Sequence, residues 1–338
     1  MSIVRADLKN FRSQIFNDTP SNGGRMARNP AVEIPSGVVS NLFPDAGEAE
    51  RTAGSDKFRK TFYSNHESTA LTLFNSRLFE ELQTPGDDAF YFFLGSQINT
   101  QGDLTGSEPR FGAGLLDVDA LASATSIDVL MESILPNCFR NGELLRLSDQ
   151  ADIDSAGTEE FVRIHPSTVI TNLGSVYTIP LETPLLNSFL AASPTKVASI
   201  LESGDVLPNF ASFVVTSGLS GTYDEVTFPL VLDNEGTVFQ NWTLTFTSAT
   251  NYGVVGDLIG SVSSGNISSD FSPTNADFGV PFFTLLSAGF GGTFQIGDTI
   301  TWTTNPASVP IWHERIIPAG ANSFAGNKAI VVFDGESA

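Results

Sequence analysis

The sequence predicts a mainly β protein: an extended N-terminal arm over residues 1–57, a central β-rich domain over 58–215 and a C-terminal β-sandwich domain over 216–338. The two domains are expected to be sandwich- or barrel-like, with few short helices. Three observations predict this. From Lys57 onward, short aromatic and β-branched runs are separated by turn-forming clusters such as "TPGDD" and "NTQGDLTGSEP". In the last third the turns recur about every 8–12 residues, the spacing of sandwiches and barrels. Ahead of both, residues 1–57 hold no helical or alternating period for more than a turn.

The first segment, with "NDTPSNGGRMARNP" and "VEIPSGVVSNLFPDAGEAERTAGS", is rich in Pro, Gly, Ser and Asn. Apolar residues are nevertheless scattered through it, among them Leu8, Phe11, Met26, Leu42 and Phe43. A purely disordered tail is poorer in such residues. Anchors without a period suit an extended arm ordered by contact with a partner, with a reach of about 180 Å when fully extended. The alternative is a loop-rich cap on its own domain. Arg5, Leu8, Phe11, Arg12, Arg25, Met26, Leu42 and Phe43 are the expected partner-binding residues of the arm. Arginine forks suit protein carboxylates, and methionine suits a shallow apolar groove.

In the central region "FRKTFYSN", "DDAFYFFLG", "TSIDVLMESIL", "GELLRLSD", "EEFVRIHPSTVITNL" and "SVYTIPL" read as strands. Phe161, Arg163 and His165 alternate with Val162 and Ile164, giving one wet face. "LLDVDALASA" (115–124) and "PLLNSFLAASPTKVASILES" (184–203) have the Ala and Leu content for short helices, the second broken at "AASPTK". In the last region Trp242, Leu244 and Phe246 share one face of a strand and Thr243, Thr245 and Thr247 the other. "DNEG" reads as a hairpin-type turn, and "AIVVFDG" (329–335) as a closing strand. "SVPIWHERIIPAG" keeps period two between prolines, so it is expected as an edge or bridging strand. Trp312 then points to one face and His313 to an outer polar face, and Arg315 is expected to pair with a nearby carboxylate.

Composition bounds the function. The chain has 338 residues, 41% of them hydrophobic, enough for a sizeable core. Net charge is −21, unevenly spread: residues 1–80 sum to +1 and the remainder to −22. So acidic a body repels nucleic acid and anionic membranes, and no run approaches about 18 apolar residues. No nucleic-acid partner and no membrane insertion are therefore expected. The start has no apolar core of a secretory signal. A single cysteine, Cys138, excludes an internal disulfide and reads as a small core residue.

Catalytic constellations are sparse. His66, His165 and His313 are the only histidines, and none stands in a paired-ligand spacing. "GAGLLDVDA" (112–120) and "GSVSSGN" (260–266) lack the Gly-Lys-Ser/Thr ending of a phosphate loop, so their glycines read as turn residues. No Gly-x-Ser-x-Gly elbow occurs. "DQADIDSAGTEE" (149–160) lacks the register of a calcium loop and reads as a solvated acidic loop. Pairs such as Asp87–Asp88 and Glu159–Glu160 are what chance gives in so acidic a chain. No catalytic residue, metal or cofactor is expected.

Two blocks resemble virion structural proteins of tailed bacteriophages, those encoded in the tail and baseplate region of Mu-like and related phages. The first is "MSIVRADLKNFRSQIFNDTPSNGGRM" with "VVSNLFPDAGEAERTAG" and "FRKTFY", carried by Val4, Asp7, Leu8, Arg12 and Ser13, then Asn17, Asp18 and Gly23 to Met26, then Asn41 to Asp45. The second runs from "NWTLTFTSATNYGVVG" to "PIWHERIIPAGA", with its Phe-Gly-Gly-Thr, Gly-Asp-Thr and Pro-Ile-Trp pieces. Together they cover roughly half the chain; the middle, about 65–215, is placed by composition alone. The resemblance implies a non-enzymatic subunit of the virion, made in the host cytoplasm. Its partners would be other phage structural proteins and further copies of itself in a ring or homo-oligomer. A capsid decoration or neck protein, a host-glycan-binding module presenting Tyr252, Phe282 or Phe290, and a glycan-degrading virion enzyme are the other readings the residues allow.

Overall fold

The strands were located in a computed structural model, which describes residues 2–27, 30–38, 40–131 and 138–337. The first part of the chain supplies β1 (Leu8–Ile15), β2 (Gly23–Met26), β3 (Ser55–Asn65), β4 (Leu73–Leu82) and β5 (Ala89–Leu94). The middle supplies β6 (Ala113–Leu116), β7 (Ser126–Leu130), β8 (Leu144–Ser148), β9 (Glu159–Arg163), β10 (Thr171–Leu173), β11 (Val176–Pro180) and β12 (Lys196–Val206). Then come β13 (Asn209–Thr216), β14 (Thr222–Tyr223), β15 (Gln240–Phe246), β16 (Asn251–Gly256), β17 (Gly260–Asn266), β18 (Thr274–Asn275), β19 (Val280–Pro281), β20 (Phe290–Gly291), β21 (Thr299–Asn305), β22 (Ser308–Ile317) and β23 (Ile330–Ser337). Helix is confined to α1 (Glu48–Ala53) and a few 3-10 turns among the described residues. The protein is mainly β, as its sequence predicts.

One sheet has the order β2-β1-β3-β22-β5, a second runs β10-β11-β7-β6-β12-β4-β23 with β8 and β9 branching from β12, and a third runs β13-β21-β15-β16-β17. Every paired strand is antiparallel to its neighbour. The first two sheets share an apolar core in which Tyr63, Phe92 and Ile311 meet Leu78, Leu201 and Val206. The third has its own core, built on the inward row Trp242, Leu244, Phe246 that alternation predicts. Its opposite layer is a loop-rich cover held by the β14–β20 and β18–β19 ribbons and by the Val231–Thr284 and Phe271–Leu285 bridges. Aromatic rings weld the two layers: Phe294 stacks on Phe246 at 4.0 Å, and Phe283 meets Trp302 edge-on.

Several expectations are corrected. β1 pairs with β3 from Leu8 opposite Asn65 to Arg12 opposite Thr61, so the segment expected to extend as an arm lies along its own chain. Residues 308–317 and 330–337, expected in the C-terminal domain, return to the first and second sheets. The helical reading of 115–124 and 184–203 fails: 113–116 and 196–206 are strands and the rest is loop. β12 lies between β6 and β8 at one end, with Val197 to Leu201 all buried, so its apolar residues run continuously instead of alternating. Residues 260–266 form an edge strand, so of their glycines only Gly260, at φ +80°, serves a turn. "TSIDVLMESIL" forms β7, and its residues 132–135 lie outside the described ones.

β22 is neither an edge nor a bridge. It sits between β3 and β5, and Pro310 to Glu314 are buried. Proline is tolerated there because Pro310 lies one residue beyond Leu94, the end of β5. Gly95 donates to its carbonyl, so the side on which its missing N–H would point has no strand to bond.

Candidate functional site

The residues expected to bind partners were followed from the N-terminus. Arg5 forms an exposed ion pair with Asp154 at 2.8 Å. Leu8 packs at the rim of the core shared by the first two sheets. Phe11 is buried, edge-on to the rings of His66 and Phe278. Arg12 stacks over Phe16 and donates to the Asn41 carbonyl at 3.2 Å. Met26 accepts a weak hydrogen bond from Ser64. Leu42 is half-buried beside Phe43, whose ring lies under the guanidinium groups of Arg59 and Arg315.

Arg25 makes the longest reach. Its guanidinium grips Asp257 with both terminal nitrogens, at 2.8 and 2.5 Å, and lies over the Phe239 ring. Asn241 adds two hydrogen bonds to the same carboxylate. The hydrogen bond from Arg25 is the main reason the Asp257 carboxyl is held down at about 2. Arg25 and Phe11 thus bring the N-terminal segment onto the third-sheet unit, while Arg5 brings it onto the second sheet. The structure does not gather these residues on one free surface; it spreads them along a clamp within the chain.

The clamp closes over Trp312. Gly23 has φ +107°, and a Cβ there would stand 2.7 Å from Trp312 Cη2; a Cβ on Gly95 would stand 3.0 Å from its Cδ1. Two glycines let backbone lie flat on the indole. On the same face the Lys60 ammonium donates to the carbonyls of Gly24 and Asn99 at 2.7 and 2.8 Å. Burial lowers the Lys60 ammonium to about 7. On the opposite face His313 faces Thr61 Oγ1 at 3.0 Å, and burial holds its imidazole down at about 3. Arg315 departs from expectation: it donates to the Pro44 carbonyl and stacks on Phe43, while its neighbour Glu314 pairs with Arg110.

The remaining reactive groups are also engaged in structure. His66 is buried beside Phe11 and Phe278, with Glu235 at 3.9 Å, and burial lowers it to about 4. His165 Nδ1 accepts from the Ser167 and Thr168 amides, capping a turn. Cys138 is buried in the core, as expected. The stretch expected as a solvated acidic loop ends inside β9, where Glu160 is buried and accepts the Leu186 and Asn187 amides. Among the described residues no three His, Cys, Asp or Glu side chains come together as metal ligands. Tyr252 and Phe282, which the alternative glycan-binding reading would present to solvent, lie in the core, and Phe290 is half-buried. A shallow depression of about 330 Å3, edged by Leu219 and Tyr223, holds no charged side chain.

Sequence reading missed the buried ionic network of the second sheet. Arg146 binds Glu81 and Glu159 together, and Lys196 completes it at 2.5 Å from Glu81. Its one signal is an arginine inside the apolar run "LLRLS".

No protein-family model and no curated protein matches the chain. Among solved structures, the chain is similar to the VP2 subviral particle of infectious bursal disease virus at 13% identity and a TM-score of 0.12, over 86% of this chain and 78% of that one. So low a score carries no argument.

Proposed function

We propose that the chain is a non-enzymatic structural subunit of a bacteriophage virion, seated in the tail or baseplate. The observation that carries this reading is that its two phage-like blocks meet in one sheet, where the end of the second pairs with the end of the first. "FRKTFY" of the first block pairs residue by residue with "VPIWHE" of the second, from Phe58 opposite Glu314 to Tyr63 opposite Val309. β1 of the first block then adds to the other side of β3. The shared wording thus meets in the central strands of the first sheet. Its partners in this reading are other phage structural proteins and further copies of itself. The N-terminal segment acts first as a clamp inside its own subunit.

The non-enzymatic part is supported by how the reactive side chains are used: His66 and His313 are buried against rings and a hydroxyl, and Cys138 lies in the core. Mass spectrometry on purified particles separated into heads and tails tests the proposal. Enrichment with tails is the expected result. Enrichment with heads moves the subunit to the capsid surface or neck, and absence from both overturns the virion reading.

A further inference from the structure

The third sheet has a property the other two large sheets lack. The 35 residues of β13, β15, β16, β17 and β21 include no Asp, Glu, Lys or Arg. With 16% of the whole chain charged, about six charges would be expected there, and protein surfaces normally carry more. The outer face is built in cross-strand rows. One row runs Thr216, Thr299, Thr245, Gly253, Ser264, each directly opposite the next. The next runs Val214, Thr301, Thr243, Val255, Ser261. A third begins Ala211, Thr303, Asn241, with Thr303 Oγ1 donating to Asn241 Oδ1 at 2.8 Å. Thr243, Thr245, Val214 and Val255 are exposed. The nearest charge at the end of the third row, Asp257, is already neutralised by Arg25.

We infer that this face binds the same face of a second copy of the chain. Three arguments fix the partner. The first is charge. A molecule with net charge −21 repels its own copies over most of its surface, and like charges brought together cost several kcal/mol; the third sheet is a broad face across which that repulsion is absent. The second is chemistry. A hydroxyl both donates and accepts, so a threonine or serine face is complementary to itself, as a carboxylate or ammonium face is not. The threonine and valine methyls supply apolar contact between the hydroxyls. The third is area. Five strands about 4.8 Å apart and about seven residues long present roughly 550 Å2, so two copies cover about 1,100 Å2, the lower edge of specific interfaces. A two-fold arrangement lets each row meet its own counterpart. The inference stands whether or not the virion reading holds.

Sedimentation equilibrium of the full chain at low and at high salt is the test. Salt screens the repulsion between the acidic bodies while leaving a neutral interface intact. The wild type is expected to form a dimer that tightens at least about tenfold as salt rises. Thr243→Glu with Thr301→Glu places like charges at the centre of the face and is expected to weaken the dimer at least about a hundredfold. Mixing that variant with a Thr243→Lys, Thr301→Lys chain should restore a heterodimer, which misfolded protein could not do. Ser261→Glu at the margin of the face serves as a milder second variant. A wild type that stays monomeric at every concentration and salt, or a dimer indifferent to all of these charges, overturns the inference.

Discussion

His313 and Lys60 lie on opposite faces of neighbouring strands, and burial pushes both toward their neutral forms. For His313 the consequence has a definite sign. Its folded pKa of about 3 lies below the ordinary 6.5, so between those values the unfolded chain binds a proton that the folded chain refuses. Stability therefore falls as pH drops through that window, by about 1.4 kcal/mol per pH unit from this group. His313→Gln removes the term. Urea unfolding between pH 6 and 4 should show the wild type losing its advantage over the variant as pH falls; parallel curves would mean that water reaches the imidazole. Chemistry at this scale was the least legible in the sequence. Glu314 and Arg110 are 204 residues apart, and Arg25 and Asp257 are 232 apart. Nothing local to either partner announces the other, so "WHER" shows its residue types but not that Glu314 is taken and Arg315 is left to a carbonyl and a ring.

At the scale of elements, legibility followed the number of wet faces. β15 and β9 each bury one face, and their alternation placed both in sequence. β12 and β22 bury both, so their patterns read as a helix or an edge strand. The clamp over Trp312 was also hidden, because a glycine that turns and a glycine that makes room for an indole are the same letter. Gly23→Ala separates the two. Its φ of +107° and the 2.7 Å approach to Trp312 should together cost about 2–4 kcal/mol. Gly260→Ala, with φ +80° and open space beyond, should cost about 1–2 kcal/mol, the backbone part alone. Equal losses in urea titrations would show that the indole yields at no cost.

The whole molecule has the plan of a host with a guest. The third-sheet unit leaves the host at Asn209 and returns at Asn305, and those two residues are directly paired. Its core contains Trp242 and Trp302, while the third tryptophan, Trp312, belongs to the host. A fragment spanning 207–307 should therefore unfold cooperatively by tryptophan fluorescence. A gradual, non-cooperative signal would mean that the Arg25 and Phe11 contacts are needed to hold it. The mainly β class and the β-rich character of the last third were visible in composition and turn spacing. The re-entry of the last thirty residues was not, since pairing between distant strands leaves no periodic trace.

The insertion also sets a timetable. β3 emerges from the ribosome long before β22, its partner along ten registered pairs. At about 5–20 residues per second, the 243 residues from Asn65 to Ser308 take roughly 12–50 seconds to synthesise. Throughout that interval one hydrogen-bonding edge of β3 has no mate, and an unpaired strand edge invites wrong neighbours. The same newborn segment carries Arg59 and Lys60, two charges later buried in the finished fold. Charged side chains on an open strand edge discourage such pairing, and these two stand there until β22 arrives.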